Sequence, residues 1–135
     1  GGGSIAITGY TYLGKTYYNP YNIGAYSDAN PVMRGMEYAK SQGWDSKEKA
    51  VFGGAKFIAN GYIKKGQNSV YFQKFNVANG PSRVGTHQYM TNISAGYTES
   101  ISTKNSYSAY GITNESLVFI IPVFSNMPAS TSLPH

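Results

Sequence analysis

Six carboxylates, two histidines and thirteen tyrosines are the groups in this 135-residue chain that could do or support chemistry. Hydrolysis of a glycosidic bond needs a proton donor on one side and a base or charge stabiliser on the other. Glu37, Glu48 and Glu99 fall in helical patterns and Glu115 in a polar turn, the places of solvated surface charges. Asp45 reads as a helix cap. Asp28, in Ala25-Tyr26-Ser27-Asp28-Ala29-Asn30-Pro31, is flanked by an aromatic ring and a helix start whose dipole favours an ionised carboxylate. It also suits a plain turn residue ahead of a helix. His87 follows Thr86 at an expected helix start and could serve as acid, base or hydrogen-bond donor, or simply pack. Tyr17, Tyr18, Tyr21 and Tyr26 crowd within ten residues, where rings could stack on sugar faces or build a small core.

The elements that must position these groups follow from pattern and punctuation. Residues 5–18 read as a hairpin or extended loop, and 19–31, with two prolines, as irregular backbone of the kind that carries function. Asn30 as cap and Pro31 in the first turn predict a helix to about Gln42, stopped by Gly43, with Val32, Met36 and Ala39 as its apolar stripe. Asp45 with Glu48 resembles a capping box and predicts a second helix, striped by Val51, Ala55, Ile58 and Tyr62 and stopped by Gly66. Gly53, Gly54 and Gly61 weaken that helix, which implies close approach of another element and a buried central position. Residues 68–76 read as a strand, 76–85 as a loop, and Thr86 as the cap of a third helix with Met90, Ile93, Tyr97 and Ile101 on one face. Residues 102–114 read as a connection, Leu117 to Phe124 as a strand in which Pro122 marks an edge position or the strand's end, and 125–135 as a loosely ordered tail.

Composition excludes several functions. There is no cysteine, so disulfide scaffolds, thiolate metal sites and cysteine nucleophiles are out, and two histidines do not suggest a metal site. No phosphate-loop, dinucleotide, nucleophile-elbow or zincin motif occurs, and no cofactor is expected. The longest apolar run, Leu117 to Phe124, is far short of the roughly 20 residues of a membrane span. A net charge of +5 suits a polyanionic partner such as nucleic acid, anionic lipid or teichoic acid. The lysines do not interleave with the tyrosine-rich loop as a nucleic-acid stacking platform requires, so nucleic acid is not the expected partner. The length fits a single domain, and Gly1-Gly2-Gly3-Ser4 looks like a linker or cut edge.

Four segments in order, GKTYYNPYNIGAYSDANP, YAKSQGWDSKEKAVFGGAKFIANGYIKKGQNSVYFQKFN, GTHQYMTNI and VFIIPVFSNMP, resemble the glucosaminidase domains of bacterial cell-wall hydrolases, glycoside hydrolase family 73, in its Firmicutes autolysin subgroup. The resemblance spans roughly Gly14 to Met127. It implies a lysozyme-like α+β domain, mainly helical with a small β-hairpin region, secreted and cell-wall associated, that cleaves the GlcNAc-β-1,4-MurNAc linkage of peptidoglycan. The family's Tyr-Asn falls on Tyr18 and Asn19, its Gly-Ala-Tyr on Gly24, Ala25 and Tyr26, and its second carboxylate on Asp28, here displaced by Ser27. Its Gly before Ile is Asn22, and its Trp-Asn-Pro becomes Phe75, Asn76 and Val77. The resemblance thus implies Asp28 and Tyr89 as catalytic residues, with Tyr18, Asn19, Tyr26, Asn30, Phe75, His87 and Gln88 contacting the sugar. Its general-acid Glu precedes the Tyr-Asn segment, and this chain has no Glu before Glu37, so that group is expected upstream of Gly1. The rival expectation is a non-catalytic wall-binding module that holds glycan and teichoic acid.

Overall fold

A computed structural model describes residues 5–26, 29–90 and 92–130. They form a mainly helical chain with one small sheet, in the order α1 (Ile5–Thr8), β1 (Tyr10–Tyr12), β2 (Lys15–Tyr17), α2 (Pro31–Ser41), α3 (Lys47–Gly61), α4 (Val70–Phe75) and α5 (Ala95–Ala109). The residues group into two compact units, Gly1–Thr91 and Asn92–His135. Among the described residues no helix is long and apolar enough to cross a membrane.

In the first unit, β1 and β2 pair antiparallel with Tyr10 opposite Tyr17 and Thr11 opposite Thr16. The hairpin turns through Leu13 and Gly14, both at positive φ. Asn30 Oδ1 accepts from Met33 N at 3.3 Å and Pro31 occupies the first turn, so α2 starts and, at Gly43, stops where its signals lie. Its buried face is Gly35, Met36 and Ala39, whereas Val32, expected on that stripe, is exposed. The core joins Met36 and Ala39 to Ala6, Ile23, Trp44 and Ala50, with Tyr10, Tyr17, Tyr18, Tyr21, Tyr38 and Tyr89 packed around it.

The second helix departs from its reading at both ends and in phase. Ser46, rather than Asp45, caps α3 by accepting from Lys49 N at 3.2 Å. The Asp45 carboxylate instead takes Lys49 Nζ at 2.6 Å, and that hydrogen bond holds it below the usual carboxylate range. The helix ends at Gly61, and a 3₁₀ turn over Ile63–Lys65 carries the chain to the left-handed Gly66. Its buried residues are Ala50 and Gly54, while Val51, Phe52 and Phe57 are exposed, so α3 is not the buried central helix expected. Small residues mark the inner face because rings lie against it. A β-carbon on Gly53 would fall on the Trp44 indole, and one on Gly54 on the Tyr21 ring. Gly61 faces open space.

Residues expected as a strand form α4. Ser69 Oγ accepts from Phe72 N at 3.2 Å and Asn76, at φ 50, ends the helix. A capping serine and a left-handed asparagine outweigh the β-propensity of the aromatic run between them. The helix expected at Thr86 does not start there. Thr86 Oγ1 donates to Arg83 O at 2.7 Å, closing a turn, and His87 at φ 48 cannot continue a right-handed helix.

In the second unit, α5 begins at Ala95 and runs through the expected connection to Ala109, followed by a 3₁₀ turn over Ile112–Asn114. Its expected face stays open, with Ile93 86%, Tyr97 44% and Ile101 40% exposed. Leu117 to Phe124 form no strand, and Val118, Phe119 and Ile121 are exposed. The β-propensity of such a run is realised only by packing on a partner strand and neighbouring side chains. Residues 125–130 hold a turn and no helix or strand, and 131–135 lie outside the described residues.

Candidate functional site

The irregular segment before α2 is held from inside. Asn19, 1% exposed, donates from Nδ2 to Ile23 O and to Gly35 O, both at 2.8 Å, and accepts from Ile23 N at 3.1 Å. Its backbone N–H reaches Ala6 O at 2.8 Å. One side chain therefore closes the 19–23 turn and ties it to α2. The turn needs left-handed backbone at Asn22 (φ 52) and Gly24 (φ 78), and a β-carbon at Gly24 would lie 2.8 Å from Tyr38 Cβ. These constraints deliver Tyr26, 67% exposed, to the rim of an open groove of about 360 Å³ lined by Gly24, Tyr26, Arg34, Glu37, Tyr38 and Ser41. Burial, with the Tyr26 phenol nearby, pushes the Tyr38 phenol up. Glu37, read as a solvated surface charge, is the carboxylate of this lining.

From Tyr38 a file of rings runs along the first unit. Tyr38 meets Trp44 edge-on at 5.6 Å and Phe57 at 6.1 Å, and Phe57 meets Tyr62 at 6.2 Å. Tyr62 in turn stacks on His87, 4.5 Å apart and 17° from parallel, and meets Tyr89 edge-on at 5.2 Å. Such pairs are favourable beyond the area they bury. Tyr89 Oη donates to Tyr21 O at 2.8 Å, clamping the 86–90 segment to the tyrosine-rich loop, and Tyr89 N donates to Gln73 O at 2.9 Å. Burial first, then the Tyr62 and Tyr21 phenols, push the Tyr89 phenol up to about 12. Its hydroxyl is thus committed to the Tyr21 carbonyl and clamps two segments of the first unit together.

That clamp makes an expected result. With the ordinary value at 10.0 and the folded value raised to about 12, the neutral phenol supports the fold fully below pH 10 and loses that support as pH rises through about 12. Tyr89→Phe should remove the latest-titrating tyrosinate from the alkaline absorbance titration and cost about 1 kcal/mol of stability. A titration curve unchanged by the substitution would contradict this placement.

The other residues singled out by sequence are dispersed. Tyr18 is half-buried against the core, with Lys47 Nζ 6.0 Å from its ring centroid. Asn30 spends its side-chain oxygen on the cap of α2. Phe75 packs against Tyr71 at 4.8 Å, and its carbonyl accepts from Gly85 N. The Gln88 carbonyl faces the Tyr62 hydroxyl at 3.5 Å. Asp28 lies outside the described residues. Among the described residues no cluster of three His, Asp or Glu could hold a metal. Sequence reasoning missed Tyr38, Phe57 and Gln67. Tyr38 and Phe57 carry a weak signal, as aromatics on helices that already have smaller core-facing residues. Gln67 carries none, because its role depends on what the fold brings to it.

No protein-family model matches the chain. It is 40% identical over 114 residues to a bifunctional autolysin of Staphylococcus epidermidis, covering 84% of this chain and 8% of the relative. It is 49% identical over 77 residues to a bifunctional autolysin of Staphylococcus aureus strain MSSA476, covering 57% of this chain and 6% of that protein. Among solved structures it resembles S. aureus autolysin E, as a catalytic mutant in complex with the disaccharide NAG-NAM, with TM-score 0.62 and 32% identity over 80% of this chain and 46% of that one. S. aureus glucosaminidase B matches with TM-score 0.52 and 38% identity over 75% of this chain and 39% of that one. The chain therefore spans less than half of the structures it resembles and a small part of its curated relatives. By sequence and by its mainly helical, lysozyme-like fold, this chain is homologous to the glucosaminidase region of the staphylococcal bifunctional autolysins.

Proposed function

We propose that these residues are part of a peptidoglycan hydrolase, an endo-β-N-acetylglucosaminidase that cleaves the GlcNAc-β-1,4-MurNAc linkage. The observation that carries this reading is the joint match, in sequence and in fold, to autolysin E, solved with the disaccharide NAG-NAM. The file of rings from Tyr38 to His87 and Tyr89 suits it, since aromatic faces hold sugar rings through their CH surfaces. In this reading Asp28, two residues after Tyr26 in sequence, stabilises oxocarbenium charge or positions water. Asn19 and Tyr89 act through others as positioning residues, the first holding the Tyr26 loop and the second clamping it, while Tyr26, His87 and Gln88 meet the sugar. Action at the cell wall outside the membrane, and attraction of the +5 chain to teichoic acids, complete the proposal.

The test is release of reducing ends from purified peptidoglycan by the 135-residue chain and by a chain lengthened at its N-terminus. Turnover that appears in either form and falls at least a hundredfold in Asp28→Asn supports the hydrolase reading, an electrostatic loss on the order of that of a missing oxyanion donor. Glycan retention with no turnover in either form would replace it with a wall-binding module.

A further inference from the structure

Gln67 is fully buried, and every polar atom of its side chain has a partner. Nε2 lies 2.9 Å from Phe72 O and 3.1 Å from His87 O, and Oε1 lies 2.7 Å from His87 Nδ1. The first two partners are backbone carbonyls, which only accept, so the nitrogen of the amide must face them and donate both its protons. The other end of the amide is then the oxygen, which also only accepts. His87 Nδ1 must therefore carry the proton in that contact, and in the neutral imidazole Nε2 is left as the lone-pair acceptor. This assignment follows from the network and admits no amide flip, since a flip would set an oxygen against two carbonyl oxygens.

The same side chain fixes where the ring goes. By binding the His87 carbonyl as well as its Nδ1, Gln67 grips the residue at backbone and ring together. His87 sits at φ 48, a conformation that costs a non-glycine residue free energy and persists where surroundings enforce it. Tyr62 covers one face of the imidazole in a near-parallel stack, while His87 as a residue remains exposed. In a ring backed on one face by Tyr62 and tethered at Nδ1 by Gln67, the remaining hydrogen-bonding atom is Nε2, an acceptor at the ring edge.

We propose that Gln67 is a positioning residue that locks His87 in the Nδ1–H tautomer, so that His87 Nε2 accepts a hydrogen bond from a hydroxyl or acetamido N–H of an amino sugar lying on the imidazole face. The tautomer half stands on the geometry alone; the sugar half rests on the glycan reading above.

The two halves are tested separately on the 135-residue chain. Long-range ¹H–¹⁵N NMR of the His87 ring in the unmodified chain at a pH where it is neutral should show Nδ1 protonated and Nε2 bare. A ring protonated at Nε2 overturns the proposal without any variant. In Gln67→Met, the tautomer should shift toward Nε2–H, whereas a merely structural role for Gln67 would leave the ring's protonation pattern unmoved. The disaccharide GlcNAc-MurNAc is then titrated against the unmodified chain and against His87→Phe, which keeps a ring for Tyr62 and removes the acceptor. The affinity should fall roughly three- to tenfold, the range of one hydrogen bond. Equal affinity overturns the role of Nε2 as sugar acceptor. Absence of disaccharide binding by both the unmodified chain and the chain lengthened at its N-terminus overturns the glycan reading itself, and the ring's protonation pattern still decides the role of Gln67.

Discussion

Asn19→Ala is expected to destabilise the first unit by about 3 kcal/mol. The side chain is 1% exposed and supplies two donors and one acceptor to the backbone of Ile23 and Gly35. Removing it takes the side-chain partner from the N–H and the C=O of buried Ile23, and such groups cost about 1–3 kcal/mol each when left unsatisfied, while Gly35 O keeps its bond within α2. The cavity left by the amide adds to that loss. Asn19→Asp separates hydrogen bonding from volume. It keeps the acceptor for Ile23 N but turns the donor end into an oxygen facing two carbonyl oxygens, so at neutral pH it should be at least as damaging as alanine. Acidification that protonates the carboxyl should recover part of the loss, because the protonated form again offers one donor. Urea denaturation of the two variants at pH 7 and pH 4 checks the account. A loss below 1 kcal/mol for Asn19→Ala would show that the turn is held by other contacts. Tyr26 lies seven residues on in the same loop, so loosening it should also raise the mobility of the groove rim.

The second large effect is expected at Trp44, 5% exposed, for which Trp44→Ala should cost about 3–5 kcal/mol. The indole lies in the core, meets Tyr38 edge-on and occupies the space that a side chain at Gly53 would need. That last contact makes the explanation testable beyond the loss itself. In the unmodified chain Gly53→Ala should destabilise by about 1–2 kcal/mol, the overpacking of a methyl group against a ring outweighing the roughly 1 kcal/mol of helix propensity alanine brings. In a Trp44→Leu background the ring is gone and the same Gly53→Ala change should become neutral or stabilising. Gly61→Ala, with open space around it, should stabilise in both backgrounds. Thermal denaturation of this double-mutant cycle decides the matter. Equal effects of Gly53→Ala in the two backgrounds would mean that the glycine is there for another reason.

These two sites show where reading from sequence stops. Asn19 is a sugar contact only by what the family resemblance implies. The fold uses it inside instead, because a buried loop must satisfy its own backbone groups and an amide is the side chain that can serve donors and acceptors together. Gly53 and Gly54 announced a close approach, and one exists at each. The stripe expected on that helix holds at Ile58 and Tyr62, which are half-buried and buried, but not at Val51 and Ala55, which are exposed one position beyond the buried Ala50 and Gly54, where the Tyr21 ring leaves room only for a small residue. Gln67 gave no signal at all, for its partners at Phe72 and His87 are five and twenty residues away.

By itself, the sequence determined the parts whose causes are local: the start of α2 at Asn30 and Pro31, its stop at Gly43 and the ordered segments that carry the autolysin resemblance. Caps, prolines and left-handed glycines act over one or two turns of chain, so their effect can be read where they stand. The 70–75 helix also has local causes, the Ser69 cap and the left-handed Asn76, which the strand reading passed over, whereas tertiary structure decided that His87 is held at its turn by Gln67 and which rings line up from Tyr38 to Tyr89. It also decided which polar side chains face inward, and the physical reason is the same throughout. The free energy that separates surface from core at these positions comes from contacts between residues far apart in sequence, and those partners exist only once the chain has folded.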